Sequence, residues 1–155
     1  MAEQNASEAL DPGVRIYVDS SALAKLYVPE AESDAVDDLL RRARDLVISD
    51  LAVTEVLSAV ARRYREKALG LEQVNQIRAA VLADAGSGSF DCLGLSPAIH
   101  RRAEQLLLTV GAVALRTLDG LHIALALSCA ATHVLTFDRR MREAAMQAGL
   151  NVIDL

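Results

Sequence analysis

The chain has 155 residues, a formal net charge of −5, 52% hydrophobic residues and only 3% aromatic ones. That is enough for one domain with a substantial core, built mainly from Ala, Leu, Val and Ile. The acidic balance argues against nucleic-acid binding by the whole surface, which relies on phosphate neutralisation, but it leaves room for a local basic edge beside an acidic pocket.

Residues 1–13 read as a flexible polar tail closed by the turn Asp11-Pro12-Gly13, with a single domain over 14–155. The start is neither basic nor apolar, so no signal peptide is expected, and no apolar run reaches membrane-spanning length. A soluble cytoplasmic protein follows as the expectation, with Cys92 and Cys129 as reduced, buried thiols.

Arg15–Val18 reads as the first strand, and Ser20–Val28 as a helix capped by Ser20 or Ser21. Pro29 breaks that helix and suits the start of the next, roughly Glu30–Arg44, whose acids come early and arginines late, as the helix dipole favours. Leu46–Ile48 is a second strand. Ser49 or Asp50 caps a helix ended by Gly70, in which Val53, Val56, Leu57, Val60, Ala61 and Tyr64 form the core-facing stripe. Glu55 lies across the wheel from that stripe, together with Ser58, Ala59 and Arg62.

Leu71–Ala83 is a fourth helix with Leu71, Val74, Ile77, Ala80 and Val81 as its apolar stripe. After the loop 86–89, Phe90–Leu95 reads as a strand. Ser96-Pro97 then starts a helix closed at Gly111. Thr117 caps the next helix, which has Asp119 in its first turn and is apolar almost all round, so it should be central. His133–Thr136 is a strand, Arg139–Ala148 the last helix and Leu150–Ile153 the last strand. This alternation predicts an α/β fold: a three-layer α/β/α sandwich with a central, mostly parallel sheet of four to five strands.

In such a sheet, ligands bind at the C-terminal ends of the strands where strand order reverses. Asp19 follows the first strand and Asp138 the fourth, so both belong at that edge; Asp119 opens a helix near it. Clustered carboxylates repel one another unless a cation is present, and hard oxygen donors suit Mg²⁺ or Mn²⁺. A metal so held can activate water against a phosphodiester. Each acid also has an ordinary reading: Asp19 and Asp138 as helix caps, Asp119 as a first-turn acid, Glu55 as a solvated one. His122 reads as a hydrogen-bonded core histidine.

YVDSSALAKLY, VTEVLSAV, LRTLDGLHIALAL and TFDRRM, in this order, resemble the PIN-domain ribonucleases, and more closely the VapC toxins of bacterial type II toxin–antitoxin pairs. The resemblance spans Arg15–Leu155. It implies Mg²⁺- or Mn²⁺-dependent endonucleolytic cleavage of RNA, with Asp19, Glu55, Asp119 and Asp138 as catalytic metal ligands. Spacing alone does not place Glu55; the resemblance does. Thr136 matches the family's hydroxyl before the last acid, and Ser20 stands beside the first. Gly120 stands where an alanine is common.

Arg116, Arg139, Arg140 and Arg142 are the expected RNA-phosphate contacts, through the planar guanidinium fork. A homodimer and a cognate antitoxin are the implied partners. Two other classes stay open: a catalytically silent RNA-binding scaffold of the same fold, and an α/β phosphotransfer enzyme. The latter usually has a second aspartate two residues after the nucleophile, where this chain has Ser21.

Overall fold

The computed structural model describes residues 2–109 and 114–155. Five parallel strands form one sheet in the order β3-β2-β1-β4-β5, with β1 Ile16–Val18, β2 Leu46–Ser49, β3 Asp91–Leu93, β4 His133–Leu135 and β5 Asn151–Val152. The helices are α1 Ala2–Glu8, α2 Ser20–Leu23, α3 Ser33–Arg42, α4 Asp50–Arg65, α5 Leu71–Gly86, α6 Pro97–Thr109, α7 Thr117–Ser128 and α8 Arg139–Gln147.

A strand sends successive side chains to opposite faces, and the two cores follow from that. Ile16, Val18 and Ile48 pack with α2, α3 and α4 on one face, while Tyr17 and Val47 pack with α6, α7 and α8 on the other. The central strands are covered on both sides, so they read as continuous apolar runs. In α7, residues 119–126 are all buried, as its all-round apolarity requires. Strand order reverses between β1 and β4, whose register pairs Val18 with Leu135.

Several elements depart from expectation. Residues 2–8 form α1 instead of a tail, and Asn5 Nδ2 donates to Val152 O on the edge strand at 2.8 Å. Ala9 is buried in the first core. The anchor is one buried alanine and one amide, too little for a periodic signal. The Asp11-Pro12-Gly13 turn is present, with Gly13 at φ +93°. The helix expected over Ser20–Val28 becomes 3₁₀ from Ala24 to Leu26. Helix α3 starts only at Ser33, because Lys25 Nζ holds Ala31 O at 2.7 Å and Glu32 Oε2 at 3.1 Å, and Glu32 is left-handed at φ +64°.

Helix α4 stops at Arg65, with Lys67 left-handed, and Gly70 precedes α5 instead of ending α4. The α5 stripe is only partly used: Val81 is buried but Leu71 is 60% exposed. Cys92 is exposed and Cys129 half-buried, so the thiols are not both core residues. The stop placed at Gly111 lies outside the described residues.

Gly120 lets α6 approach α7: a Cβ there would meet Leu107 Cγ at 3.3 Å and Cδ2 at 3.4 Å. Leu107 is partly exposed and can yield. Gly120→Ala should therefore stabilise the fold by about 0.5 kcal/mol, since replacing a helical glycine gains roughly 0.4–1 kcal/mol. Thermal denaturation would show a rise in Tm of about 1–2 °C; a fall would mean that Leu107 is locked.

Candidate active site

Asp19 ends β1 and caps α2, the role expected of Ser20 or Ser21. Its Oδ1 accepts from Ala22 N at 3.0 Å and from Ser21 Oγ at 2.7 Å; its Oδ2 accepts from Thr136 Oγ1 at 2.5 Å. Two hydroxyls tie this corner to the end of β4. Ser21 Oγ accepts from Phe137 N at 2.8 Å, and Thr136 Oγ1 accepts from Asp138 N at 3.1 Å. Ser20 lines the cavity beside Asp19, but the serine that touches the carboxylate is Ser21.

Asp138 caps α8, its Oδ1 accepting from Arg140 N at 2.8 Å and Met141 N at 3.2 Å. Asp119 sits in the first turn of α7, where its Oδ2 accepts from Arg116 N at 3.2 Å. Arg116, not Thr117, occupies the cap position of that helix. Glu55, half-buried on α4, binds His122 Nε2 through Oε2 at 2.5 Å. His122 is 3% exposed, and its Nδ1 lies 2.7 Å from Tyr17 Oη, which in turn lies 2.9 Å from Ser49 Oγ.

Thus four carboxylates from four separate elements line one cavity of about 340 Å³, with Arg116 and His122 among its other walls. They do not close on a point. Among the described residues, no three acid, histidine or cysteine side chains stand close enough to hold a metal as they are turned. Each acid instead faces a local donor: a helix terminus, a hydroxyl or an imidazole.

Burial pushes the Asp19 carboxyl above its ordinary pKa range, against the lowering effect of the Thr136, Ser21 and Ala22 hydrogen bonds. Asp119 is raised too, by burial first and by the Asp138 charge; the Arg116 N–H opposes this. Among the described residues neither acid has an ion-pair partner. An all-oxygen, anionic donor set that is partly desolvated suits a hard divalent cation, which would offset the cost of ionising these groups.

Of the arginines expected to contact phosphate, only Arg116 lines this cavity. Arg139 pairs with Glu143 at 3.3 Å, and Arg142 pairs with Asp154. Arg140 is exposed on α8. Arg62 and Arg65, not among the arginines expected to contact phosphate, line an adjoining hollow that shares Glu55 and Leu118 with the site. Their signal was spacing: Arg62 stands seven residues after Glu55, two turns along the same helix face.

Fold and site together define an α/β/α protein with an acidic cleft at the switch point of a parallel sheet. The PIN domain model matches residues 16–146. Ribonuclease VapC46 of Mycobacterium tuberculosis is 36% identical over 146 residues, covering 89% of this chain and 95% of that protein. Among solved structures, M. tuberculosis VapC20, described as a sarcin–ricin loop cleaving toxin, aligns with a TM-score of 0.69 at 18% identity, over 87% of this chain and 95% of its own. VapBC2 of Rickettsia felis, solved bound to a DNA fragment from its promoter, aligns with a TM-score of 0.61 at 12% identity, over 92% of this chain and 99% of its own. The chain belongs to the PIN-domain family.

The raised Asp19 and Asp119 make the folded state the better proton binder between the unfolded and folded pKa values. Their contribution to stability is therefore greatest at low pH and is lost as pH rises from about 4 through the raised range. Asp19→Asn keeps the cap acceptor and removes the charge. Calorimetry in chelator should find the variant about 2–4 °C more stable than wild type at pH 7.5, for roughly 1 kcal/mol, with the gap closing towards pH 4. A gap constant with pH would rule out the buried charge as its cause.

Proposed function

We propose that this chain is a Mg²⁺- or Mn²⁺-dependent endoribonuclease and the toxin of a type II toxin–antitoxin pair, working in the cytoplasm. The observation that carries the reading is the convergence of Asp19, Glu55, Asp119 and Asp138 on one cavity in a PIN-domain chain whose relatives include VapC ribonucleases. These four are the ligands proposed for the metal. When bound, the metal would supply an activated water and neutralise charge on the phosphate.

The chain's own residues do the positioning. Thr136 and Ser21 hold the buried Asp19 from two sides. The first turn of α8 holds Asp138. Arg116 stands on the cavity wall, where its guanidinium suits a phosphate oxygen. Arg62 and Arg65 extend this cationic edge along α4. Arg140 is exposed on α8, whereas Arg139 and Arg142 would have to leave their carboxylate partners to join this edge.

The partners are the RNA substrate, a second copy of the chain and a cognate antitoxin; the Rickettsia felis relative is itself a VapBC2 assembly. Exposed Leu108, Leu71 and Met146 leave apolar surface for such contacts. No described helix is long and apolar enough to cross a membrane. Sedimentation at micromolar concentration should show a dimer, and a monomer throughout would remove that part of the reading.

One observation favours the scaffold reading: Glu55 faces His122 as it stands. Incubation of purified protein with RNA and Mn²⁺ separates the two. Cleavage should fall at least 100-fold in Asp19→Asn, consistent with loss of an electrostatic contribution of several kcal/mol. RNA binding without cleavage by the wild type supports the scaffold instead. In filter binding, Arg62→Ala and Arg116→Ala should each weaken RNA binding at low salt and reduce the salt slope by about one phosphate contact. An unchanged slope would free these residues of that role.

A further inference from the structure

A buried chain of hydrogen bonds runs from the first turn of α4 through the sheet and α7, and back to α4. Ala52 N donates to Ser49 Oγ at 3.1 Å. Ser49 Oγ lies 2.9 Å from Tyr17 Oη, Tyr17 Oη lies 2.7 Å from His122 Nδ1, and His122 Nε2 lies 2.5 Å from Glu55 Oε2. Because a Glu55 carboxylate can only accept, one ordering about a neutral imidazole satisfies every member. Ser49 Oγ–H donates to Tyr17 Oη, Tyr17 Oη–H donates to His122 Nδ1, and His122 Nε2–H donates to Glu55. Tyr17 and Ser49 are fully buried and His122 nearly so. The Tyr17 and His122 rings also meet edge to face, with centroids 5.8 Å apart.

Glu55 needs such a device more than the other three acids do. Asp19, Asp119 and Asp138 each sit at a helix start, where backbone N–H groups hold a short side chain. Glu55 lies in the second turn of α4, has one more rotatable bond, and takes no backbone donor among the described residues. Among the described residues its one side-chain partner is His122.

We propose, resting on the metal-site reading above, that His122 is the positioning residue of Glu55. Backed by Tyr17 and Ser49, it holds Oε2 and so fixes the carboxylate, leaving Oε1 without a hydrogen-bond partner among the described residues. Partners of this kind behind a metal ligand typically account for a 10–100-fold difference in metal affinity.

The test is Mn²⁺ binding to the full chain by titration calorimetry, with RNA left out. His122→Phe keeps a buried ring and removes the donor; it should weaken Mn²⁺ binding by about 10–100-fold. His122→Gln retains an Nε2 donor and should stay within about threefold of wild type, and Tyr17→Phe, which keeps the ring packed, should lie between them. In a Glu55→Gln background, His122→Phe should add less than about twofold, because the residue acts through Glu55. An equal loss in both backgrounds would overturn the proposal, as would wild-type affinity in both His122→Phe and Tyr17→Phe. Should His122→Phe fail to fold, Tyr17→Phe decides alone: weakened binding supports the proposal and wild-type affinity overturns it. If the wild type itself bound no Mn²⁺, the metal-site reading would fall and this inference with it.

Discussion

The bond between Asp19 and Thr136 joins the two directions in which the sheet is built. Strand order runs outward from β1 to β2 and β3, then returns to β4 and β5. At that reversal the turns after β1 and β4 are tied to each other by side chains. Thr136 Oγ1 donates to Asp19 and accepts from Asp138 N, while Ser21 Oγ donates to Asp19 and accepts from Phe137 N. Each hydroxyl thus donates on one side of the crevice and accepts on the other. Because Asp19 and Asp138 both belong to this stitch, the positions of two site acids are consequences of closing the sheet.

The same burial that makes the stitch rigid makes it electrostatically costly. Asp19 is desolvated and Asp119 is close enough to Asp138 to feel its charge. Hydrogen bonds from helix starts and hydroxyls offset part of that cost without neutralising the charge. The remainder is what the hard cation proposed for this site would offset, with Arg116 on the same wall. On the proposed reading, this is how an acidic protein addresses RNA at one edge: Arg62, Arg65 and Arg116 gather where the acids do, while α3 carries charges as local pairs such as Arg41 with Asp37.

Periodicity exposed the architecture because the helices and strands each bury a regular face. The continuous apolar run of α7 was legible as a central element, and Ile16-Tyr17-Val18 as a strand buried on both sides. Periodicity misjudged α5, whose stripe is only partly covered, since a pattern shows what a helix can bury and not what is available to cover it. It missed α1 because the anchoring is one amide and a buried alanine. The late start of α3 depends on Lys25 reaching Ala31 and Glu32, a contact that no local propensity encodes.

By itself the sequence determined the fold class, the edge at which Asp19 and Asp138 lie, and the family through its four motifs; strand–helix alternation and the position of an acid after a strand are properties of local order along the chain. Tertiary structure alone decided the roles that depend on distance across the sheet. It tied Asp19 to Thr136 and Ser21 to Phe137 across the strand ends, and brought Arg62 instead of Arg139 and Arg142 beside the site. It also gave His122, a hydrogen-bonded core histidine as read from the sequence, its particular partners Glu55 and Tyr17, 67 and 105 positions away in the chain. Such pairings arise because two independent helices pack on the same strand ends, and side-chain reach across that packing is set by the fold as a whole.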